Sequence, residues 1–284
     1  MITDELRLTL YDTVSRALDE DLGSGDLTAD LVDTDAVNGA TVIAREACVL
    51  AGQPWFDEVF RQLDDTIIID WYVADGENAD TDDIICKLVG PTRAILSGER
   101  TALNFLQTLS ATATQTRRFC DAVHGTAARI LDTRKTLPGL RTAQKYAVRC
   151  GGGHNHRMGL FDAILIKENH IQSAGGISAA LKRAQTVHPD VLIEIEVETL
   201  DELHEALDAG AGRILLDNFA LSDISRAVEI NKGYGIVAAE LEVSGNVTLD
   251  TARNLAETGI NYLSVGSLTK HVQAIDLSML LRIS

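Results

Sequence analysis

Cationic side chains are concentrated in the middle of the chain. Two follow a short apolar run at 130–131, one follows a second apolar run at 163–166, and two lie in the Gly-rich segment between the runs. The set is Arg134, Lys135, His156, Arg157 and Lys167. Arginine binds planar carboxylates and phosphates through paired hydrogen bonds, whereas lysine acts as a point charge. These residue types therefore predict a site for an anion that carries several charged groups.

The spacing of the two runs indicates how these cations come together. An amphipathic segment at 140–150 lies between the runs, and three glycines at 151–153 end it, because glycine tolerates the left-handed backbone of helix ends. A strand–helix–strand unit of this kind has parallel strands, whose carboxyl ends meet at one face. Ligands of α/β sheets and barrels bind at that face. We therefore expect the five cations to line one pocket.

Acidic residues mark two later strand-like runs. The run 192–198 alternates carboxylates with apolar residues, so Glu194, Glu196 and Glu198 share one face of a strand. Carboxylates inside a parallel sheet need cations or a metal ion, because such strands are normally apolar. Asp217 ends the next run, at the same predicted face. A carboxylate pair near phosphates holds Mg²⁺, directly or through water, or binds ribose hydroxyls, and spacing alone leaves both functions open.

Charge and cysteine content limit the possible partners. The 284 residues include 25 Lys and Arg and 42 Asp and Glu, which gives a net charge of −17. Nucleic acid and anionic membranes are therefore not expected as partners. The four cysteines are widely scattered, without the spacing of a zinc site or a disulfide framework. The acidic amino-terminal segment does not resemble a signal peptide. These features predict a cytoplasmic protein.

The order of elements predicts two domains. Residues 1–115 form an α+β domain with helices at 4–20 and 54–63, strand-like runs at 40–50, 66–74 and 83–89, and residues 274–284 packing back on it through a final helical turn at 276–281. A helix from residue 98 to about 123, with Ser97 as its N-cap, leads into the second domain, 116–273. Strand-like runs there end near Asp132, Lys167, Glu198, Asp217, Ser244 and Gly266. Six such units predict a parallel sheet, either open and doubly wound or an incomplete α/β barrel.

Three motifs carry a resemblance to a known family. DTRKTLPGLR at 132–141, GGGHNHR at 151–157 and LIKENH at 165–170, in this order and spacing, resemble quinolinate phosphoribosyltransferases. The resemblance covers nearly the whole chain. It implies an amino-terminal α+β domain followed by an incomplete, six-unit α/β barrel.

The resemblance also implies roles for individual residues. The residues implied to bind quinolinate are Arg100, Arg134, Lys135, His156, Arg157 and Lys167. Arg100, in the segment GERTALN, would reach the site of a neighbouring subunit in a homodimer. Catalytic roles fall on Lys135, Glu196 and Asp217, and the two acids would also hold Mg²⁺, directly or through water. The phosphate of phosphoribosyl pyrophosphate (PRPP) would bind at Ser244, Gly245, Asn246, Val265, Gly266 and Ser267.

The reaction implied by the resemblance transfers phosphoribosyl from PRPP to quinolinate with decarboxylation. The products are nicotinate mononucleotide, pyrophosphate and CO₂. Three alternatives remain open: a related transferase whose acceptor is nicotinate, a Schiff-base aldolase that uses Lys167, and a non-catalytic anion-binding protein. A single-carboxylate acceptor such as nicotinate would need fewer cations than the sequence provides.

Overall fold

A computed structural model describes residues 4–282. The chain divides into two compact units. Unit 1 comprises residues 1–117, 136–152 and 268–284, and unit 2 comprises residues 118–135 and 153–267. The main difference between these units and the predicted domains is the segment 136–152. It groups with unit 1, whereas the sequence placed it in the barrel domain, 116–273. Within residues 4–282, no helix is both long enough and apolar enough to cross a lipid bilayer.

Unit 1 packs helices against an antiparallel sheet. Its helices are α1 (Asp4–Leu22), α2 (Gln53–Leu63), most of α3 (Thr92–Ala122) and α4 (Arg141–Cys150). Its strands are β1 (Val37–Ala44), β2 (Cys48–Val49), β3 (Ile68–Trp71), β4 (Asn78–Ala79), β5 (Ile84–Pro91) and β12 (Leu277–Arg282). The main sheet has the order β12-β1-β5-β3, and β2 pairs with β4. Trp55 and Phe56 of α2 are fully buried against this sheet's core with Leu106 of α3.

Three predictions in unit 1 are wrong. The joining helix begins at Thr92, directly after Pro91, and not at residue 98. Ser97 is not its N-cap, because the Ser97 hydroxyl instead donates a 2.7 Å hydrogen bond to Asp26 Oδ2. The segment predicted as a final helical turn is strand β12, which pairs antiparallel with β1. Gly39 lies opposite Arg282 at one end of the pair, and Ala44 lies opposite Leu277 at the other. Pairing with β1 satisfies the backbone of this segment, and no helical period is needed to bury its apolar residues.

Unit 2 is built on six parallel strands. They are β6 (Arg129–Leu131), β7 (Ile164–Ile166), β8 (Ile193–Val197), β9 (Arg213–Asp217), β10 (Glu240–Ser244) and β11 (Tyr262–Ser264). The sheet order is β6-β11-β10-β9-β8-β7. This is the cyclic order of a barrel, since the first strand lies beside the last, but among the described residues β6 and β7 form no ladder with each other. The incomplete six-unit barrel is therefore confirmed over the open doubly wound alternative.

Helices connect the strands of unit 2 as the alternation predicts. They are α5 (Glu168–Ala174), α6 (Ile177–Val187), α7 (Leu200–Asp208), α8 (Leu221–Gly233) and α9 (Leu249–Ala256), and α10 (Ser267–Lys270) follows β11. Short 3₁₀ turns lie at Ala29–Leu31 and Gly235–Val237. Because all six strands are parallel, their carboxyl ends share one edge of the sheet. We call this edge the strand-end face.

Candidate active site

The strand-end face of unit 2 carries nearly all the residues that the sequence singled out. Arg134 and Lys135 follow β6, and Lys167 directly follows β7. Glu196 is the last residue but one of β8, while Asp217 and Ser244 are the last residues of β9 and β10. Val265, Gly266 and Ser267 follow β11. Arg100 is the exception, since it is an exposed residue of α3 in unit 1.

A buried aspartate holds the segment that contains His156. Asp132 has no exposed surface, and one carboxylate oxygen accepts a 2.9 Å hydrogen bond from the His156 backbone N–H. Its other oxygen accepts a 2.6 Å bond from the Asn155 side chain. These bonds fix residues 155–156 against the end of β6. Asp132 was visible in the sequence only as a strand end, and its partners could not be assigned without the fold.

Two guanidinium groups, those of Arg134 and Arg157, interact electrostatically at this face. Burial and the neighbouring positive charge of Arg134 both lower the pKa of Arg157. The Arg157 side chain also donates a 3.3 Å hydrogen bond to the backbone carbonyl of Ala163. Repulsion between two like charges is relieved when an anion binds between them. This arrangement therefore suits a carboxylate or phosphate ligand.

Lys167 pairs directly with Glu196. The lysine ammonium donates a short hydrogen bond to Glu196 Oε2, and the glutamate side chain is only 10% exposed. The His170 ring stabilises the start of α5, because its Nδ1 accepts a 3.0 Å hydrogen bond from the Lys167 backbone N–H. A cation and a carboxylate that the sequence assigned to different tasks are thus in contact.

The ends of β9 and β10 form a close turn. The Asn218 backbone N–H donates a 3.0 Å hydrogen bond to the Ser244 carbonyl, and the Asn218 side chain donates one of 2.7 Å to Asp217. Gly245 has a φ of +94°, and Asn246 a φ of +51°. A Cβ on Gly245 would lie well inside van der Waals distance of Asn218 Oδ1. Glycine is thus required at this position by both backbone conformation and space.

Gly266, in the loop after β11, also lies where a side chain would have little space. A Cβ there would lie 3.1 Å from Lys135 Cδ and 3.5 Å from Thr133 Oγ1. The aliphatic part of Lys135 therefore lies across the Gly266 backbone. This contact brings the loop after β6 together with the loop after β11.

A buried charged cluster lies below the strand-end face, and the sequence analysis missed most of it. Arg213 donates a 2.5 Å hydrogen bond to Glu242, and its Nε is 3.2 Å from Glu194 Oε1 without the alignment of a hydrogen bond. The guanidinium carbon lies 4.1 Å from the centre of the Tyr262 ring. Both glutamates are almost completely buried, and the Ser264 hydroxyl donates a short hydrogen bond to Glu242. We call Glu194, Arg213 and Glu242 the buried charge cluster.

Burial controls the protonation of this cluster. Burial and the neighbouring charge of Glu194 raise the pKa of Glu242 to about 7. Burial also raises the pKa of Glu194, although Arg213 opposes that shift. Burial acts to lower the pKa of Arg213, but the two carboxylates outweigh it and the net shift is upward. The need of Glu194 for a cation was predicted from the sequence, but the cation itself was not.

His156 contacts this cluster. Its Nε2 lies 2.8 Å from Glu194 Oε2 and 3.6 Å from Glu242 Oε1. Its Nδ1 accepts a 2.7 Å hydrogen bond from the Arg157 backbone N–H, so the ring proton is on Nε2. Both ring nitrogens thus have protein partners. His156, Glu194 and Glu242 bring ligand atoms within 4.8 Å of one another, as a metal site would, but the positive charge of Arg213 on both carboxylates disfavours a metal ion there.

Comparison with known proteins gives consistent matches along the chain. Residues 26–110 match the sequence model of the quinolinate phosphoribosyl transferase N-terminal domain, and residues 112–280 match that of its C-terminal domain. A probable nicotinate-nucleotide pyrophosphorylase (carboxylating) of Bacillus subtilis is 40% identical over 92% of this chain and 89% of its own length. The Mycobacterium leprae nicotinate-nucleotide pyrophosphorylase (carboxylating) is 40% identical over 94% of this chain and 95% of its own. The solved structure of the Francisella tularensis nicotinate-nucleotide pyrophosphorylase has a TM-score of 0.93 at 46% identity, covering 96% of both chains.

Proposed function

The chain belongs to the quinolinate phosphoribosyltransferase family, and we propose that it carries out its reaction at the strand-end face of unit 2. The enzyme transfers the phosphoribosyl group of PRPP to quinolinate with decarboxylation. The products are nicotinate mononucleotide, pyrophosphate and CO₂, and the reaction belongs to de novo NAD biosynthesis. The observation that supports the site assignment is that the cations following β6 and β7 meet the carboxylates of β8 and β9 at one face, where Lys167 pairs with Glu196.

We assign the quinolinate site to the cations that follow β6 and β7. Quinolinate carries two carboxylates on adjacent ring carbons, and two guanidinium groups suit such a pair because each binds one carboxylate through parallel hydrogen bonds. Lys167 supplies a further charge from the end of β7, and Lys135 supplies another from the loop after β6, where its side chain lies across Gly266. Nicotinate has one carboxylate and would leave part of this charge unmatched. His156 is included in the site, although its ring nitrogens contact Glu194 and the Arg157 backbone in the structure.

We assign the 5-phosphate of PRPP to the loops after β10 and β11. Ser244, Gly245 and Asn246 form one loop, and Val265, Gly266 and Ser267 form the other. Glycines with no side chain let a phosphate approach backbone N–H groups closely, and hydroxyl donors lie beside them. Barrel enzymes commonly bind phosphate at the loops after their last strands. With this assignment the phosphate would lie at the same face as the cations.

The bond changes follow from the two substrates. The ring nitrogen of quinolinate attacks the anomeric carbon of PRPP, and pyrophosphate leaves with the bonding electrons. Positive charge develops on the sugar, and Glu196 and Asp217 are placed to stabilise it from the ends of adjacent strands. Lys135 neutralises charge on the leaving group. Loss of CO₂ then leaves an electron pair on the carbon next to the quaternised nitrogen, whose positive charge stabilises it until a proton is added.

Mg²⁺ is proposed as the metal that accompanies PRPP. Glu196 and Asp217 offer hard carboxylate oxygens at neighbouring strand ends, which is the donor set that Mg²⁺ prefers in sites completed by substrate phosphates and water. When bound, the ion would withdraw charge from the departing pyrophosphate. Glu196 is paired with Lys167 in the structure, so it would hold the ion directly only after that pair opens, and otherwise through water.

The subunit arrangement and location are also proposals. We propose a homodimer in which Arg100 is donated to the neighbouring site, which its exposed position on α3 permits. Mixing equal amounts of the separately inactive Arg100→Ala and Lys167→Ala proteins tests this. Random exchange of subunits would give mixed dimers with one intact site each, so about a quarter of all sites would become active. No recovery after verified exchange would exclude sharing. A cytoplasmic location is supported by four free cysteines, which suit a reducing compartment.

A direct assay tests the reaction assignment. Purified protein is incubated with PRPP, Mg²⁺ and either quinolinate or nicotinate, and CO₂ and pyrophosphate are measured together. We expect equal amounts of both products from quinolinate and none from nicotinate. Pyrophosphate from nicotinate alone would preserve the PRPP site and overturn the acceptor. Absence of product from either acceptor, with folded protein, would favour the anion-binding alternative.

A further inference from the structure

The His156 ring connects the buried charge cluster to a quinolinate-binding arginine. On one side, its Nε2–H donates to Glu194 Oε2 over 2.8 Å. On the other, its Nδ1 accepts from the Arg157 backbone N–H over 2.7 Å. The Glu194 side chain is 2% exposed and that of His156 is 11% exposed, so bulk water offers little competition for these bonds. The orientation of the ring therefore decides where the Arg157 backbone lies.

Glu194 is itself held rigidly. Arg213 contacts it and Glu242 together, and Arg213 is stacked on Tyr262. These residues come from four neighbouring strands of the sheet, whose relative positions are fixed by the β8–β9, β9–β10 and β10–β11 ladders. Glu194 thus presents a hydrogen-bond acceptor to His156 from a rigid base. A side chain held at both ends by such contacts positions a ligand-binding group more precisely than a loop alone.

We propose that Glu194 is a positioning residue for quinolinate, which acts through His156 on Arg157. It does so as a hydrogen-bond acceptor and does not touch the substrate. The inference rests on the proposed quinolinate site, since it assumes that Arg157 binds a substrate carboxylate. It assigns to Glu194 a function separate from that of Glu196, the next residue on the same side of β8.

Two substitutions at Glu194 separate hydrogen bonding from charge and size. Glu194→Gln keeps an acceptor oxygen for His156, whereas Glu194→Met keeps the length and removes the acceptor. Both remove one of the two buried acids and leave Arg213 paired one to one with Glu242, so no charge of the cluster lacks a partner and the fold is expected to persist. We expect Glu194→Met to raise KM for quinolinate roughly tenfold or more, as loss of a hydrogen bond to a charged group does, with KM for PRPP unchanged. Glu194→Gln should remain within about threefold of the wild type for both substrates.

A double-mutant cycle tests the path through His156. His156→Phe removes both ring hydrogen bonds, and it should raise KM for quinolinate but not for PRPP. If Glu194 acts through His156, adding Glu194→Met to His156→Phe changes kcat/KM for quinolinate little further. Effects that multiply in the double variant would overturn the proposal, as would equal rises in both KM values for Glu194→Met. Should Glu194→Met fail to fold, a normal quinolinate KM for His156→Phe would alone refute it.

Controls distinguish this inference from the proposed function. Glu229→Met changes an exposed glutamate of α8 that pairs with Lys232, and it should leave all kinetic constants unchanged. Wild-type protein without quinolinate-dependent product would refute the proposed function. Active wild-type protein with additive or substrate-independent effects at Glu194 would refute only the positioning role.

Discussion

Replacing Arg213 with methionine should reveal how the buried charge cluster is balanced. Arg213 provides the guanidinium that faces both Glu194 and Glu242, and its own side chain is 11% exposed. Methionine preserves much of the aliphatic volume and can still pack on Tyr262. The substitution therefore removes one positive charge and leaves two buried carboxylates without their arginine partner.

The expected loss of stability is large. Removing one partner of a buried ion pair typically costs about 3–5 kcal/mol, because the remaining charge stays desolvated. Loss of the cation over the Tyr262 ring adds about 1 kcal/mol. Protonation of Glu242 offsets part of this cost wherever the pH allows it. The loss should thus depend on pH.

The direction of that dependence follows from the raised pKa. In the folded protein the pKa of Glu242 is about 7, above the ordinary glutamate value of 4.5. Between these values the folded chain holds a proton that the unfolded chain has lost, so the stability of the wild type falls as pH rises through this window. Arg213 lowers the pKa of Glu242, so its removal extends the window to higher pH. We therefore expect Arg213→Met to cost more free energy near pH 8 than near pH 5.

Urea unfolding followed by circular dichroism at about pH 5 and about pH 8 measures both effects. Arg226→Met is the matched control, because Arg226 lies on the surface of the same unit and pairs with Asp223 over 3.5 Å. The control should change the free energy of unfolding by less than about 0.5 kcal/mol. A cost for Arg213→Met below about 1 kcal/mol, or the same cost at both pH values, would refute this account of the cluster.

Three further changes test other parts of the molecule. Lys167→Ala should lower kcat/KM for quinolinate roughly 30- to 1000-fold, because it removes a substrate cation and leaves Glu196 without its partner; a near-normal value in steady-state assays would remove Lys167 from the site. Gly245→Ala forces a positive φ on a residue with a Cβ and displaces Asn218. KM for PRPP should therefore rise about tenfold, and urea unfolding should show a loss of about 1–2 kcal/mol in the free energy of unfolding. The control Gly233→Ala has open space around its Cβ and should change neither quantity substantially. Asn231→Leu removes two hydrogen bonds to the Ala239 backbone and should cost roughly 2–4 kcal/mol in the same unfolding assay without changing kcat/KM; an unchanged midpoint would show that water replaces them.

Hydrophobic patterning predicted the architecture of unit 2 well. The predicted strand ends at Asp217 and Ser244 coincide with the ends of β9 and β10, and the other four lie within two residues of the observed ends. Continuous apolar runs alternating with helices are distinctive, and parallel topology then fixes which ends meet. The choice between an open sheet and a barrel could not be made from pattern, because it depends on β6 lying beside β11.

Each wrong prediction has a specific physical cause. Ser97 has the residue type of an N-cap, but its hydroxyl bonds to Asp26, which lies far away in the sequence. The segment of β12 is short and apolar, and such segments have no period that separates helix from strand. Arg213 was overlooked because a charged residue at the start of a strand ordinarily faces solvent. The sequence did contain an indication of the cluster. Each of three successive apolar runs includes a charged residue, namely Glu194, Arg213 and Glu242, and their opposite charges are suited to pair across neighbouring strands.

The antiparallel pair of β1 and β12 has a consequence for biosynthesis. Strand β1 ends at Ala44, and its partner begins at Leu277, so all the residues between them must be translated before the two can pair. Until then one edge of β1 presents unpaired backbone donors and acceptors, which favour association with other chains. The strands of unit 2 all lie between residues 129 and 264 and can pair earlier. Emergence from the ribosome thus imposes an order in which β1 is made well before its pairing can be completed.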